Sequence, residues 1–384
     1  MKKYLLLASV AALAFTSCSD QSTEFVGDEV AQKAREITFA PLAKPVTRAA
    51  GSVEYNAVEG TGYPQNYDMK VVAYSVSGGN YFGSATADAA PLFKYNYVGG
   101  VTGGSNGYWG GVPPQYWPLS AATLNFLAVS NNGSPTADMV SETFQSPNFA
   151  SGVDVTLGNN APQAASTGLG QHDLMYGFGT ATVAQGAIPA KVDMTFSHAL
   201  AWVVFRVKAG NLASQAISIK DIKLYGANYG GSFQARLDNY DSTTPALAWN
   251  TSNTKWTDAD NSGNYYSPNF SAAYDTKGAT GAASNDSKAL INDTFFYVGD
   301  GLLVVPTSEL SPAAVSMTSF DIEYYLNGNL YTYTYTPATD AAKTFSKGKK
   351  YSFDITMTLS EIFVNPTVTD WTAPDTPPSA INIP

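Results

Sequence analysis

The feature that most constrains the fold is a series of short alternating apolar segments, separated by Gly, Asn and Pro, with no long helical period. The clearest case is residues 320–335, where two alternating runs flank Asn327 and Gly328. That dipeptide favours a two-residue type I′ hairpin turn. A second run, residues 217–225, changes phase after Ile219, which predicts a β-bulge. With 33 Gly, 21 Pro and 13% aromatic residues, the chain is expected to be all-β.

The length of the chain indicates more than one β unit. The residues after position 48 are too many for one ordinary β-sandwich and about right for two. The sequence therefore predicts two tandem β-sandwich domains with Greek-key type connections, an N-terminal one at 49–190 and a C-terminal one at 191–384.

The first 18 residues have the pattern of an exported lipoprotein. Lys2 and Lys3 precede an apolar run over residues 4–15, and two small residues lead to Cys18, the only cysteine. The run is too short to span a membrane and predicts a signal peptide at 1–17. A lone thiol in an exported protein forms no internal disulfide, so Cys18 is expected to carry lipid. Acyl chains stabilise membrane attachment by roughly 0.8 kcal/mol per buried methylene, which makes the anchor almost irreversible.

Residues 18–48 are predicted to be a lipidated leader with a removable strand. A short strand is expected at 36–40, with Ile37 and Phe39 on one face, ahead of two prolines. Arg48 then stands between small residues before Ala49, an arrangement suited to a trypsin-like protease. On spacing alone an ordinary surface arginine is the preferred interpretation, and Arg35 is a competing site.

Charge and motif content point away from several functions. The chain has 31 acidic against 21 basic residues, which argues against nucleic acid binding.

The G-x-S-x-G pattern at 103–107 lies in a glycine-rich loop rather than in a nucleophile elbow. Residues 258–263 resemble the start of a calcium loop, but position twelve is Asn269 rather than Glu. His198 lies in an apolar run and is expected to be a hydrogen-bonded core residue. No enzyme activity, metal or cofactor is predicted.

Six motifs follow one another along the chain: Cys18, Thr47-Arg48-Ala49, Tyr116-Trp117-Pro118, Asp173-Leu-Met-Tyr176, Phe196-Ser-His-Ala-Leu200, and Lys347-Gly-Lys-Lys-Tyr-Ser-Phe353 leading to Val368-Thr-Asp-Trp371. Taken in this order, they resemble the fimbrillin family of Bacteroidales, also called type V pilins. The resemblance implies two transthyretin-like β-sandwich domains and export as an outer membrane lipoprotein. It also implies cleavage after Arg48 by an arginine-specific or trypsin-like protease, followed by polymerisation through strand exchange.

The resemblance makes the expected partners other copies of this chain and related subunits, in a cell-surface fimbria that serves adhesion. The donor strand is expected from the C-terminal segment, where Ile362, Val364 and Val368 share one face of an extended stretch. A second candidate is the last stretch, with Ile381 and Ile383 on another face.

A surface glycan-binding lipoprotein is the alternative from a different functional class. Trp109, Trp117 and exposed tyrosines could then stack on sugar rings. Aromatic residues more often fill sandwich cores, and a glycan binder has no reason to shed a discrete strand ahead of Arg48.

Overall fold

The computed structural model describes the protein over residues 35–43, 68–76, 79–82, 93–98, 108–131, 153–157, 173–184, 187–189, 191–210, 217–227, 231–237, 245–250, 265–266, 288–289, 293–298, 301–306, 319–338 and 344–370. These residues form strands, turns and short connections without a helix, which confirms the all-β prediction. No helix that could span a membrane is found within these ranges.

The strands of the first half of the chain are β1 (Thr38–Ala43), β2 (Asp68–Ser75), β3 (Gly79–Phe82), β4 (Phe93–Val98), β5 (Tyr108–Val112), β6 (Ala122–Asn131), β7 (Val153–Leu157), β8 (Met175–Val183) and β9 (Val192–His198). Those of the second half are β10 (Ala201–Ala209), β11 (Ile217–Tyr225), β12 (Gly231–Leu237), β13 (Pro245–Asn250), β14 (Tyr265–Tyr266), β15 (Lys288–Ala289), β16 (Phe296–Tyr297), β17 (Leu302–Val304), β18 (Ser319–Leu326), β19 (Asn329–Tyr335), β20 (Lys349–Met357) and β21 (Ile362–Asp370).

The first sheet closes on itself. Its order is β3-β2-β4-β5-β1-β9-β8-β6, and β2 pairs along its other edge with β6. Seven strands therefore form a ring, with β3 added at the end of β2. Alternate residues of these strands face a core inside the ring, which includes Phe39, Trp109, Phe126 and Phe196.

The second half of the chain contains a sandwich of two sheets. One has the order β16-β10-β20-β21 with β17 also on β10, and the other has the order β14-β11-β18-β19 with β15 on β11. Phe205, Phe320 and Phe353 meet between them, with ring centroids 5.1 to 5.5 Å apart. Such aromatic contacts stabilise a core beyond the area they bury.

A third core joins the ring to the sandwich. The three-stranded sheet β13-β12-β7 contributes Phe233, which packs with outward residues of β2 and β6 and with Trp202 and Val204 of β10. The two faces of β10 therefore lie in different cores, because Val203 and Phe205 belong to the sandwich. This double burial explains why the sequence of β10 is apolar throughout instead of alternating.

The sheets cross the division predicted at residue 190. β9 follows that position but pairs with β1 and β8 in the first sheet, and β7 precedes it but pairs with β12. The division into domains at 49–190 and 191–384 stays a prediction.

Both local predictions for the second half are confirmed. Asn327 and Gly328 have φ values of 51° and 83°, as a type I′ turn requires, and they join β18 to β19. The pairing of β11 with β18 shifts register between Ile219 and Asp221, at the predicted bulge.

His198 is buried, and its Nδ1 lies 2.8 Å from Asp173 Oδ2. This hydrogen bond lies where β9 of the ring leads into β10, and it confirms the prediction of a hydrogen-bonded core histidine.

Two glycines with positive φ provide a matched test of packing beside β10. A Cβ at Gly301 (φ 81°) would lie 2.5 Å from the Val203 carbonyl oxygen, whereas one at Gly328 would meet nothing within 4 Å. Both alanine variants carry left-handed strain of about 1–2 kcal/mol. Gly301→Ala adds overpacking of about 1–3 kcal/mol. We expect Gly301→Ala to lower the urea midpoint much more than Gly328→Ala, and equal shifts would contradict this packing.

Candidate functional site: the β1 groove and the edge strand β21

β1 completes the ring between two strands that are distant from it in sequence. It pairs antiparallel with β5 at Thr38 and Phe39, and parallel with β9 from Phe39 to Ala43. Ile37 N–H also donates to the carbonyl oxygen of Gln115 at 2.7 Å. The backbone of β1 is thus bonded on both sides, and its removal would separate β5 from β9.

The strand extends further than the sequence predicted. Residues 36–40 were expected, ending ahead of Pro41, but β1 continues through Pro41 to Ala43. Alternate residues of a strand direct their backbone groups to the same side. Since Ile37 N–H faces the β5 side, the nitrogen of Pro41 faces it too. Pairing with β5 ends at Phe39, so the missing N–H of Pro41 interrupts no bond to β9.

Ile37 and Phe39 lie on one face of β1 and are fully buried in the ring core. The ring of Phe39 makes an edge contact with Phe126 at 5.2 Å, and Trp117 contacts Phe126 from 5.9 Å. Burying each of these side chains stabilises the fold by roughly 1.5–3 kcal/mol.

Arg35 fixes the start of β1. Its guanidinium donates to the carbonyl oxygens of Trp117 at 3.2 Å and Pro118 at 2.7 Å, while its own carbonyl accepts from Trp117 N–H. Tyr81 lies close by, where burial raises the pKa of its hydroxyl and the Arg35 charge opposes that rise. A trypsin-like protease must bind an arginine side chain in its own pocket, so Arg35 is a poor cleavage site while β1 is docked. Sequence reasoning missed this role.

The other proposed processing and lipid sites cannot be placed. Cys18, Arg48 and Ala49 lie outside the described residues, as does the stretch after residue 370 that contains Ile381 and Ile383.

β1 is paired along both edges, whereas β21 is paired along one edge among the described residues. It pairs with β20 over its whole length, from Met357 opposite Ile362 to Lys349 opposite Asp370. Beyond β20 no further strand pairs with it among the described residues. Lys349 and Asp370 also form a surface ion pair, which contributes little to stability.

The side chains of β21 are mostly in water. Ile362 and Val364 are half-buried against the sandwich core, while Phe363 and Val368 are 53% and 57% exposed. Pro366 is tolerated because an edge strand need not donate on both sides. The structure thus places the predicted donor residues on an edge strand that is held largely by backbone bonds.

The two sites have complementary chemistry. Without β1, the edges of β5 and β9 would present unpaired backbone groups beside the apolar pockets of Ile37 and Phe39. Such an edge is a template for another extended segment. An extended segment with alternating apolar residues, as in β21, is what such a groove can bind.

The tryptophans of the glycan-binding alternative are not available to a ligand. Trp109 and Trp117 are 0% and 2% exposed and belong to the ring core. The interpretation of these two residues as a sugar-stacking platform is therefore wrong, because their rings fill the space inside the closed sheet.

A family model described as fimbrillin-like matches residues 75–371. Among solved structures, a fimbrial protein from Bacteroides vulgatus is 16% identical with a TM-score of 0.52, over 87% of this chain and 99% of that one. A Bacteroides uniformis protein ascribed to cell adhesion is 14% identical with a TM-score of 0.44, covering 88% and 99%. A fimbrial assembly protein from Parabacteroides distasonis is 12% identical with a TM-score of 0.36, covering 87% and 98%. The first of these shows a shared fold. No curated protein matches the sequence.

The contrast between β1 and β21 can be tested in the uncleaved chain. Phe39→Ala should lower the free energy of unfolding by about 3–5 kcal/mol, because it leaves a cavity in the ring core. Val368→Ala should change it by no more than about 0.5 kcal/mol, because Val368 is exposed. Urea denaturation of the two variants measures both values. Similar losses would show that β21 is held as firmly as β1.

Proposed function

The chain belongs to the fimbrillin-like family, which makes it a structural component of a cell-surface fimbria rather than an enzyme, and we propose that it polymerises by donor-strand exchange. In this proposal residues 1–17 direct export and the lipid on Cys18 holds the precursor in the outer membrane. A trypsin-like or arginine-specific protease then cleaves between Arg48 and Ala49. The leader departs with β1, and β21 of a neighbouring subunit enters the groove. The assembled fimbria serves adhesion.

The observation that carries this proposal is that β1 closes the ring and precedes Arg48. The last described residue of the strand, Ala43, is five positions ahead of Arg48. A cut after Arg48 therefore leaves β1 attached only by non-covalent contacts. Its two buried anchors and its bonds to β5 and β9 keep the groove covered until the leader is removed.

The properties of β21 support its role as the donor. A donor must leave its own subunit at low cost and bury its apolar face in the next. Six consecutive residues at the end of β21, 365–370, are exposed, so detachment loses mainly the bonds to β20. Insertion then buries Val368 and completes the burial of Ile362 and Val364. Full burial of an exposed apolar side chain is worth about 1.5–3 kcal/mol, so the half-buried Ile362 and Val364 gain less than that, and the cost of ordering the strand is subtracted.

The processing step can be tested with two arginine variants of the purified, lipid-free precursor. Limiting trypsin should cleave after Arg48, giving an N-terminus of Ala-Ala-Gly-Ser and a ladder of multimers on an unboiled gel. Arg48→Ala should abolish the ladder. Arg35→Ala is the matched control and should still polymerise, because Arg35 is bonded to the loop after β5. A ladder from Arg48→Ala, or an N-terminus at Glu36, would contradict this cleavage site.

The donor can be tested by placing the same charge on the two faces of β21. Val364→Asp should prevent polymerisation after cleavage, since an uncompensated carboxylate in an apolar pocket costs several kcal/mol. Thr367→Asp carries the same charge on the exposed face and should polymerise normally.

Thermal unfolding must show that both donor variants remain folded as monomers. Normal ladders from Val364→Asp would mean that β21 is not the donor. Loss of the ladder in both variants would mean that polymerisation is not prevented by burying the charge of residue 364 in an apolar pocket.

A further inference from the structure

We infer that the partner's β21 enters the groove in one direction and one register, with Ile362 at the place of Ile37, Val364 at that of Phe39 and Pro366 at that of Pro41. This inference rests on the proposed donor-strand exchange and specifies its partner as a second copy of this chain. In this register Val368 takes the place of Ala43.

The two strands share a pattern of side chains. Residues 37–43 read Ile-Thr-Phe-Ala-Pro-Leu-Ala, and residues 362–368 read Ile-Phe-Val-Asn-Pro-Thr-Val. Isoleucine stands first in both, an apolar residue third and proline fifth. Ile37, Phe39 and Pro41 are all buried in the ring, so these three places are the ones that a replacement strand must fill.

The proline fixes the register because it has no backbone N–H to donate to a neighbouring strand. At position 37 the N–H bonds to Gln115, and at position 39 the backbone faces β5 where the two strands pair. At position 41 the backbone faces the same side after that pairing has ended. A strand with proline at the fifth place therefore keeps every bond that β1 makes to its neighbours.

A donor displaced by two residues would lose contacts in either direction. If Val364 took the place of Ile37, Pro366 would fall at Phe39 and remove the N–H that faces β5. If Ile362 took the place of Phe39, Ser360 would occupy the fully buried Ile37 pocket. Burying a hydroxyl without a partner is unfavourable.

A shift of one residue and a reversed strand also fail. The shift that puts Asn365 at Phe39 buries an amide in the apolar core. A reversed strand with Val368 at the place of Ile37 again puts Pro366 at Phe39. The direction of β1, parallel to β9, is the one that keeps the buried places apolar and the bonds to β5 intact.

Disulfide formation between chains can measure this register. In β1, Ala40 pairs with Asp193 of β9, so Asn365 of the donor should lie opposite Asp193. The Asp193 side chain is exposed and accessible to a cysteine partner. Neighbouring strands are about 4.8 Å apart, and two residues along a strand add about 6.6 Å. Cysteines whose Cα atoms are more than about 7 Å apart cannot be bridged, so a slip of two residues is distinguishable.

The experiment mixes two single-cysteine proteins in a Cys18→Ser background, cleaves them with trypsin and oxidises them mildly. Asp193→Cys is combined with Asn365→Cys, or with Phe363→Cys or Thr367→Cys as matched controls. We expect a disulfide-linked dimer of the two proteins only in the first mixture. Because a reversed donor with Val368 at the place of Ile37 would also put Asn365 opposite Asp193, a second set tests the direction. Thr195→Cys, opposite Leu42 in β9, should link to Thr367→Cys if the donor runs parallel to β9 and to Phe363→Cys if it is reversed.

The other outcomes separate the register from the function. A dimer of Asp193→Cys only with Phe363→Cys or Thr367→Cys would overturn the register and leave strand exchange intact. Polymers in which Asp193→Cys forms none of the three disulfides would also overturn the register, and the Val364→Asp variant then decides whether β21 is the donor. Absence of polymers from cleaved protein would overturn the proposed function itself.

Discussion

The backbone bonds of β1 are the constraint on which the first sheet depends. A strand edge beside an apolar core must be paired, because buried N–H and C=O groups without partners cost as much as a lost hydrogen bond. β5 and β9 do not meet each other in the ring, and both are completed by β1. β1 therefore supplies both the bonds that satisfy these edges and the side chains that fill the core behind them. One segment therefore closes the ring, and without it the edges of β5 and β9 and the space filled by Ile37 and Phe39 would be uncovered.

The rest of the molecule gives that groove a rigid frame. β10 places its alternate side chains in two cores, one shared with the sandwich and one shared with the ring and the three-stranded sheet. The hydrogen bond between His198 and Asp173 lies just before β10, in the chain that links ring to sandwich. The two strands beside β1 also have partners of their own, since β5 pairs with β4 and β9 pairs with β8.

Local features of the chain could be predicted from sequence, and long-range pairings could not. Alternation and turn residues correctly placed the β18–β19 hairpin, the bulge in β11 and the buried face of Ile37 and Phe39, since each depends on neighbours in sequence. The predicted end of β1 at residue 40 is too early, because the effect of Pro41 on the strand depends on which neighbouring strand its nitrogen faces. The pairing of β9 with β1, the position of Arg35 and the burial of Trp109 all require knowing which distant segments meet.

The parallel pairing of β1 with β9 also has a consequence for the order of folding during synthesis. Phe39 lies opposite Val192, so β1 leaves the ribosome long before the strand that completes its pairing. Chains fold from the N-terminus as they are made, and contacts between distant segments form late because closing a long loop is entropically unfavourable. Among the described strands of the ring, the first to be synthesised gains its second neighbour only when the last, β9, emerges. Until β9 emerges, one edge of β1 stays unpaired, and the core that buries Ile37 and Phe39 lacks Val192, Met194 and Phe196. An unpaired strand edge with apolar residues is a site of aggregation, so the nascent β1 gains from protection over this interval.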